Sequence, residues 1–190
     1  MADLGDLGIC SEEQEAYLAE LRERRGRLDG LYGTLVLHPE LAGLMLEIGR
    51  FYRTAATVSD RLREAATLAV ASETRCAYVW SKHEPTARTA GLSQPVIEAL
   101  RHGRWGDQQL NQLERDVVAT AIDALALRSI PADLQQRITS VLGVEGLLEI
   151  TVLAGVYRMI AGYLAAIDVP LPDDARDPWG PNPGLGVGGA

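Results

Sequence analysis

Between residues 64 and 83 the chain carries a carboxylic acid, a thiol and an imidazole, at Glu64, Cys76 and His83. Together these offer proton transfer, a nucleophilic sulfur and a group to orient either one. A helix beginning near Arg75 puts Val79, Trp80 and His83 three, four and seven residues after Cys76. All four side chains then project from one face, with Tyr78 pointing away. Cys76 falls in the first turn, where unpaired N–H groups and the helix dipole favour a thiolate. His83 lies about 10 Å further along the axis. It is too far to hydrogen-bond the thiol but close enough to share a pocket with it. Glu64, one helix earlier, sits on the apolar side beside Leu62 and Ala65, where a carboxylate needs a partner or a function.

Each of these residues has a plainer explanation. A single histidine on an apolar face is more often a core residue, and a buried cysteine usually behaves as a small hydrophobe. Trp80 suits packing, and Glu64 has Arg61 and Arg63 close by for a structural ion pair. Arg158, inside an apolar stretch, fits either a carboxylate clamp or a bridge between subunits. His38 reads as helix-entry chemistry and His102 as a surface residue.

The elements that must position these groups are helical. Ser11 and Gln14 make a capping box, and so do Thr57 and Asp60. Gly30 and Gly33 loosen the chain before Pro39 restarts it, with Leu41, Leu44, Met45 and Ile48 at helical spacing. Behind Thr57, small apolar residues (Ala65, Ala66, Ala69, Val70) form a stripe that suits close packing at the centre. Thr74 is a candidate N-cap for the helix carrying Cys76, which ends at Gly91. A short helix from Ser93, a long amphipathic one from Leu110 to Leu127, and another opening at Pro131 and ending at Gly143 follow. The stretch from Glu145 to Ile167 is apolar nearly all round, as in a core or a subunit contact. From Asp168 on, Pro and Gly dominate and periodicity is lost. The pattern predicts an all-α single domain of about six to eight helices. A helical extension occupies residues 1–30, the main domain 31–170, and a disordered tail 171–190.

Composition narrows the function. The chain has 190 residues, 47% of them hydrophobic, which suffices for a core without disulfides or metals to staple it. A net charge of -8 repels phosphate backbones and anionic lipids, so neither nucleic acid nor a membrane surface is an expected partner. The acidic N-terminus lacks a signal-peptide layout, and no apolar run is read as long enough to span a bilayer, which predicts a cytoplasmic protein. Cys10 and Cys76 lie far apart and form no metal-type cluster. Neither a metal nor a cofactor is expected.

Glu64, Cys76 twelve residues later, His83 and the turn Ala90-Gly91-Leu92-Ser93 resemble the central motif of the carboxymuconolactone decarboxylase / alkylhydroperoxidase D-like family. The flanks agree. His38-Pro39-Glu40-Leu41-Ala42 is similar to that family's entry helix, Arg61-Leu62-Arg63-Glu64 to its lead-in, and residues 143–170 to its closing helix. The resemblance covers about residues 31–172 and implies an AhpD-like helical bundle assembled as a homo-oligomer, a trimer or a hexamer. Redox members carry Cys-x-x-Cys, whose second cysteine is the one activated by histidine; here that position is Val79. The histidine sometimes found between the two cysteines is Tyr78. Without a resolving thiol the intramolecular disulfide cycle does not run, and Cys10 is the only substitute.

The decarboxylase branch lacks the pair, uses no cofactor and acts on a small carboxylated lactone. The resemblance therefore implies decarboxylation or isomerisation of a small acidic molecule. In that reading His83 is the proton donor, Glu64 its orienting group or a base, Cys76 a weak acid or wall, and Val79 and Trp80 line the pocket. Two other functions compete. One is a thiol-dependent hydroperoxide reductase that uses Cys76 with an external thiol. The other is a helical oligomer that has lost its chemistry.

Overall fold

In the computed structural model, which describes Ala19, residues 30–35 and residues 37–180, a helix of fourteen residues is almost entirely enclosed by the others. This is α3 (Asp60–Glu73), in the order α1 (Gly30–Leu35), α2 (Pro39–Thr54), α3, α4 (Ala77–Thr89), α5 (Gln94–Arg101), α6 (Gln112–Leu125) and α7 (Ala132–Ala166). Every residue of α3 from Leu62 to Ser72 is buried. Its alanines at 65, 66, 69 and 71 leave room for four neighbours, and α4, α5, α6 and α7 all pack on it. No strand occurs among the described residues. The all-α single domain predicted from periodicity is the architecture found. The expected extension at 1–30, with its Ser11 box and Cys10, lies outside the described residues except for Ala19 and Gly30.

Local signals hold at some ends and fail at others. His38 is the N-cap of α2, its Nδ1 accepting from the Leu41 amide at 3.3 Å, with Pro39 in the first turn. On α2, however, Met45 is buried while Leu41 and Leu44 are exposed, so that stripe is only partly core. Gly30 and Gly33 lie within a helical turn, α1, rather than in a loosened stretch. Gly30 has φ +56°, and a Cβ there would collide with the Tyr78 ring, so glycine permits both the backbone and the contact.

The expected capping box at Thr57 does not form. Ser59 is the N-cap of α3 and makes no side-chain capping bond. The Thr57 and Val58 amides donate instead to the Glu149 carboxylate of α7, each at 2.9 Å. Thr74 is likewise not an N-cap but the C-cap of α3, its hydroxyl donating to the Val70 carbonyl at 2.8 Å. A capping box unforeseen from sequence opens α6. Asn111 and Glu114 exchange side-chain and backbone bonds there, and the buried Glu114 also pairs with Arg61 at 2.6 Å.

The two last helices expected from sequence run on as one element, α7, bent at Gly143 with φ 70° and ψ 178°. Only glycine takes that conformation cheaply. Contrary to the sequence reading, α7 is long and apolar enough to cross a bilayer by length and composition. Here one face packs on α3 and α6 and carries the buried Glu149. The segment 171–180 also departs from the disordered tail expected there. Trp179 docks edge-on against Trp80, ring centroids 5.4 Å apart, and its indole N–H donates to the Arg101 carbonyl at 2.9 Å.

Glu149 therefore clasps the α2–α3 link to α7, assisted by the Tyr52 hydroxyl, which donates to the Glu149 carbonyl at 2.9 Å. Hydrogen bonds to a charged group contribute about 1.5–3 kcal/mol each. Glu149→Leu should lower unfolding stability by roughly 2–4 kcal/mol in urea titration, because two amides, that of Val58 buried, lose their charged acceptor. A midpoint equal to wild type would show that the clasp is dispensable.

Candidate active site

Glu64 lies in the middle of α3 with only 1% of its surface exposed. Arg63 lies beside one carboxylate oxygen, its Nε and Nη2 donating at 3.3 and 3.2 Å. The other oxygen meets His83 Nδ1 at 2.8 Å. Arg63 is itself held by the Tyr52 carbonyl at 2.6 Å and by Asp60 at 2.8 Å. The buried charge is thus compensated on both sides, which makes its burial tolerable. Arg61, the other candidate partner, turns to Glu114 instead.

α4 brings His83 to Glu64, and α7 brings a residue that sequence reasoning missed. The Tyr157 hydroxyl lies 3.0 Å from His83 Nε2, and the two rings meet edge to face with centroids 5.0 Å apart. With Arg63 on its far oxygen, Glu64 is a carboxylate that only accepts. The His83 proton is therefore placed on Nδ1, and Nε2 accepts from the phenol. Burial, followed by the Glu64 charge, pushes the Tyr157 phenol well above its usual value, so it stays protonated. Burial and the Glu149 charge likewise push Tyr52 up to about 12. Only its place among the apolar residues of α7 could have drawn attention to Tyr157, and by that pattern it reads as core.

These groups line a cavity of about 460 Å³ between α1, α2, α3, α4 and α7. The lining includes Arg53, Arg63 and Lys82 as cations and Glu64 as the one acid. In a chain of net charge -8 that is a local reversal of sign, and a cleft of one sign concentrates ligands of the other. Lys82 sits over the Tyr78 ring, its ammonium 5.6 Å from the centroid. The Arg53 guanidinium folds back over Gly49 and has no hydrogen-bond or ion-pair partner among the described residues.

Two of the five residues picked from sequence fall outside the cavity. Val79 lines it, as do Glu64 and His83, but Cys76 and Trp80 do not, and Tyr78 does. Cys76 would share the face of Val79, Trp80 and His83 only as a residue inside the helix. It is instead the N-cap, with φ -83° and ψ 88°, so helical spacing does not govern where its side chain goes. The cavity is met by 78, 79, 82, 83 and 86, one strip of α4. Trp80 leaves that strip and is buried elsewhere, donating to Glu84 at 2.8 Å. Arg158 is no carboxylate clamp here; it donates to the Leu125 carbonyl at 2.7 Å.

The expected thiolate is not supported either. Cys76 is free and half-buried, and burial pushes its thiol above the ordinary value. The Val79 and Tyr78 amides pull the other way and lose. Among the described residues no group of three or more His, Cys, Asp or Glu is arranged to hold a metal.

No known family model matches the sequence, and neither does any curated protein. A solved structure does match: an uncharacterized peroxidase-related protein from Silicibacter sp. TM1040, with a TM-score of 0.76 and 16% identity over 92% of each chain. The fold is an all-α bundle of the AhpD-like type. At that identity the likeness concerns the fold alone.

The thiol's environment has a measurable consequence. A raised acid constant leaves less thiolate at neutral pH, so Cys76 should react slowly. In a Cys10→Ser background, alkylation by iodoacetamide near neutral pH should run slower than for free cysteine. The rate should climb only above the ordinary thiol range. A Cys76 that reacts faster than free cysteine would show an activated thiol.

Proposed function

We propose that the protein is a cofactor-independent enzyme that carries out acid–base chemistry, a decarboxylation or an isomerisation, on a small carboxylated organic molecule or lactone. The observation that carries this reading is the buried Glu64 carboxylate holding His83 Nδ1 at 2.8 Å in a cavity that Cys76 does not reach. Loss of CO2, or movement of a double bond, develops negative charge beside a carbonyl. Such a site must supply cations or donors for that charge and a group that delivers or removes a proton. Arg53 and Lys82 are the cations, and His83, oriented by Glu64, is the proton-transfer group. Arg53 suits the substrate carboxylate because a guanidinium forks onto two oxygens.

The competing thiol peroxidase is less well supported. It needs a reactive sulfur, and Cys76 is an N-cap outside the cavity with its thiol held in the neutral form by burial. Val79, where a resolving cysteine would stand, is a buried wall of the cavity. A protein without chemistry has no need of a buried carboxylate facing an imidazole, since such a carboxylate costs several kcal/mol to desolvate.

Assembly follows from the outer face of α7. Leu148 and Val152 are more than half exposed, and with Phe51 of α2 they line an open groove. A groove lined by exposed apolar side chains is the kind of surface another protein surface covers. A second copy of the chain is the occupant that fits, giving a homo-oligomer of the trimer or hexamer kind that the resemblance implies. Light scattering at micromolar concentration should give a multiple of 20.5 kDa, and Leu148→Glu should reduce it. A clean 20.5 kDa species for the unaltered chain removes this reading.

The chemical assignment is tested with three variants on one carboxylated, unsaturated lactone. His83→Ala should lower the rate about a hundredfold or more, the usual worth of a general acid or base. Glu64→Gln should cost less and shift the pH profile, and Cys76→Ala should keep most of the activity. An inactive Cys76→Ala beside an active His83→Ala would restore thiol chemistry.

A further inference from the structure

We propose that the Tyr157 hydroxyl is the group that exchanges a proton with the substrate, and that His83 acts through it. The inference rests on the acid–base reading and goes beyond it by naming the atom that meets the substrate. An imidazole has two nitrogens, and both are engaged: Nδ1 with Glu64 at 2.8 Å and Nε2 with Tyr157 at 3.0 Å. No ring nitrogen is left to face a ligand. Tyr157 lines the same cavity from α7. A phenol oxygen carries one hydrogen and two lone pairs, so donating to Nε2 leaves it able to accept.

Carboxylate, imidazole and hydroxyl then stand in the order of an acyl-transfer triad, with a phenol in the place of the nucleophile. In the isomerisation direction, the substrate C–H bond breaks and its proton bonds to the Tyr157 oxygen. At the same time the phenol's own proton passes to His83 Nε2. The C–H electron pair stays on the substrate as an enolate, and the imidazolium is held by Glu64 through Nδ1–H. The reverse shift delivers a proton to another carbon and restores the chain. Decarboxylation uses the second half alone, starting from the imidazolium that a proton from solvent forms at His83 before each turnover. The C–C pair stays on carbon as CO2 leaves, Tyr157 protonates that carbon, and Nε2 reprotonates the phenol.

A free phenolate is avoided throughout, as its surroundings require. Burial and the Glu64 charge both disfavour one at this position. The Thr67 hydroxyl and then the Arg63 charge oppose them and are weaker. A concerted two-proton shift leaves the only new charge on His83, beside the carboxylate built to receive it.

Tyr157→Phe removes the hydroxyl alone, and the readout is exchange of the α-proton of a carboxylated, unsaturated lactone in D2O, followed by NMR. The relay requires exchange to fall about a hundredfold, with KM little changed. Nitrogen-15 NMR should show His83 still protonated at Nδ1 in the variant. If Tyr157 merely steadies the ring, the variant frees Nε2 for the substrate, and an unchanged or faster rate overturns the proposal. A slow variant whose His83 proton has moved to Nε2 also overturns it, since Tyr157 is then a positioning group. Should the unaltered protein fail to exchange, or His83→Ala equal it, the acid–base reading itself falls. An inactive His83→Ala beside an active Tyr157→Phe defeats the relay alone.

Discussion

The burial of one carboxylate organises this protein. Glu64 stands in the stretch of α3, Leu62 to Ser72, in which every residue is buried, and an uncompensated charge there would cost several kcal/mol. Its two oxygens therefore need two partners from within reach. Arg63 supplies one from the adjacent position and is anchored in turn by Asp60 and the end of α2. His83 supplies the other from α4, and Tyr157 of α7 closes the chain. Four helices thus converge on a single charge. Removing any member of the site would leave another polar group unpaired.

Around that chain the protein reverses its own sign. The surface is acidic overall, while the cavity presents Arg53, Arg63 and Lys82 against Glu64. Within a cleft, where the dielectric is low, such an imbalance selects small anions more sharply than the same charges would on an open surface. The thiol lies apart from this. Its place at the N-cap of α4 would ordinarily favour ionisation, yet burial outweighs the amides beneath it. A shared fold with a peroxidase-related protein therefore says little about what this cavity does, since chemistry resides in the site and not in the bundle.

α7 serves both interior and exterior. Its inner face carries Glu149, which clasps the start of α3, and Tyr157, which completes the site. Its outer face keeps Leu148, Val152 and Met159 in the open. Both faces belong to the segment that follows the kink at Gly143. The stretch after it folds back so that Trp179 covers Trp80, with Arg75 over the Trp179 ring.

Helical periodicity determined the fold class, because apolar spacing records which face each helix must bury. It also marked Glu64 and His83, since a carboxylate and an imidazole on apolar faces stand out in any reading of the chain. The small-residue stripe correctly put α3 at the centre. Capping was legible where the cap is local, as at His38, and illegible at Thr57, where a distant Glu149 takes the amides first. The same limit applies to the site. Where Cys76 and Trp80 lie depends on whether residue 76 is inside the helix or caps it, one position that decides the direction of a side chain. Tyr157 is separated from His83 by 74 residues, and no spacing rule links them. Chemistry-bearing residue types are written in the sequence, because burial of a charge is conspicuous wherever it occurs. Which nitrogen each partner occupies is decided only when helices remote in the chain pack together, because hydrogen bonds act over about 3 Å and take no account of sequence distance.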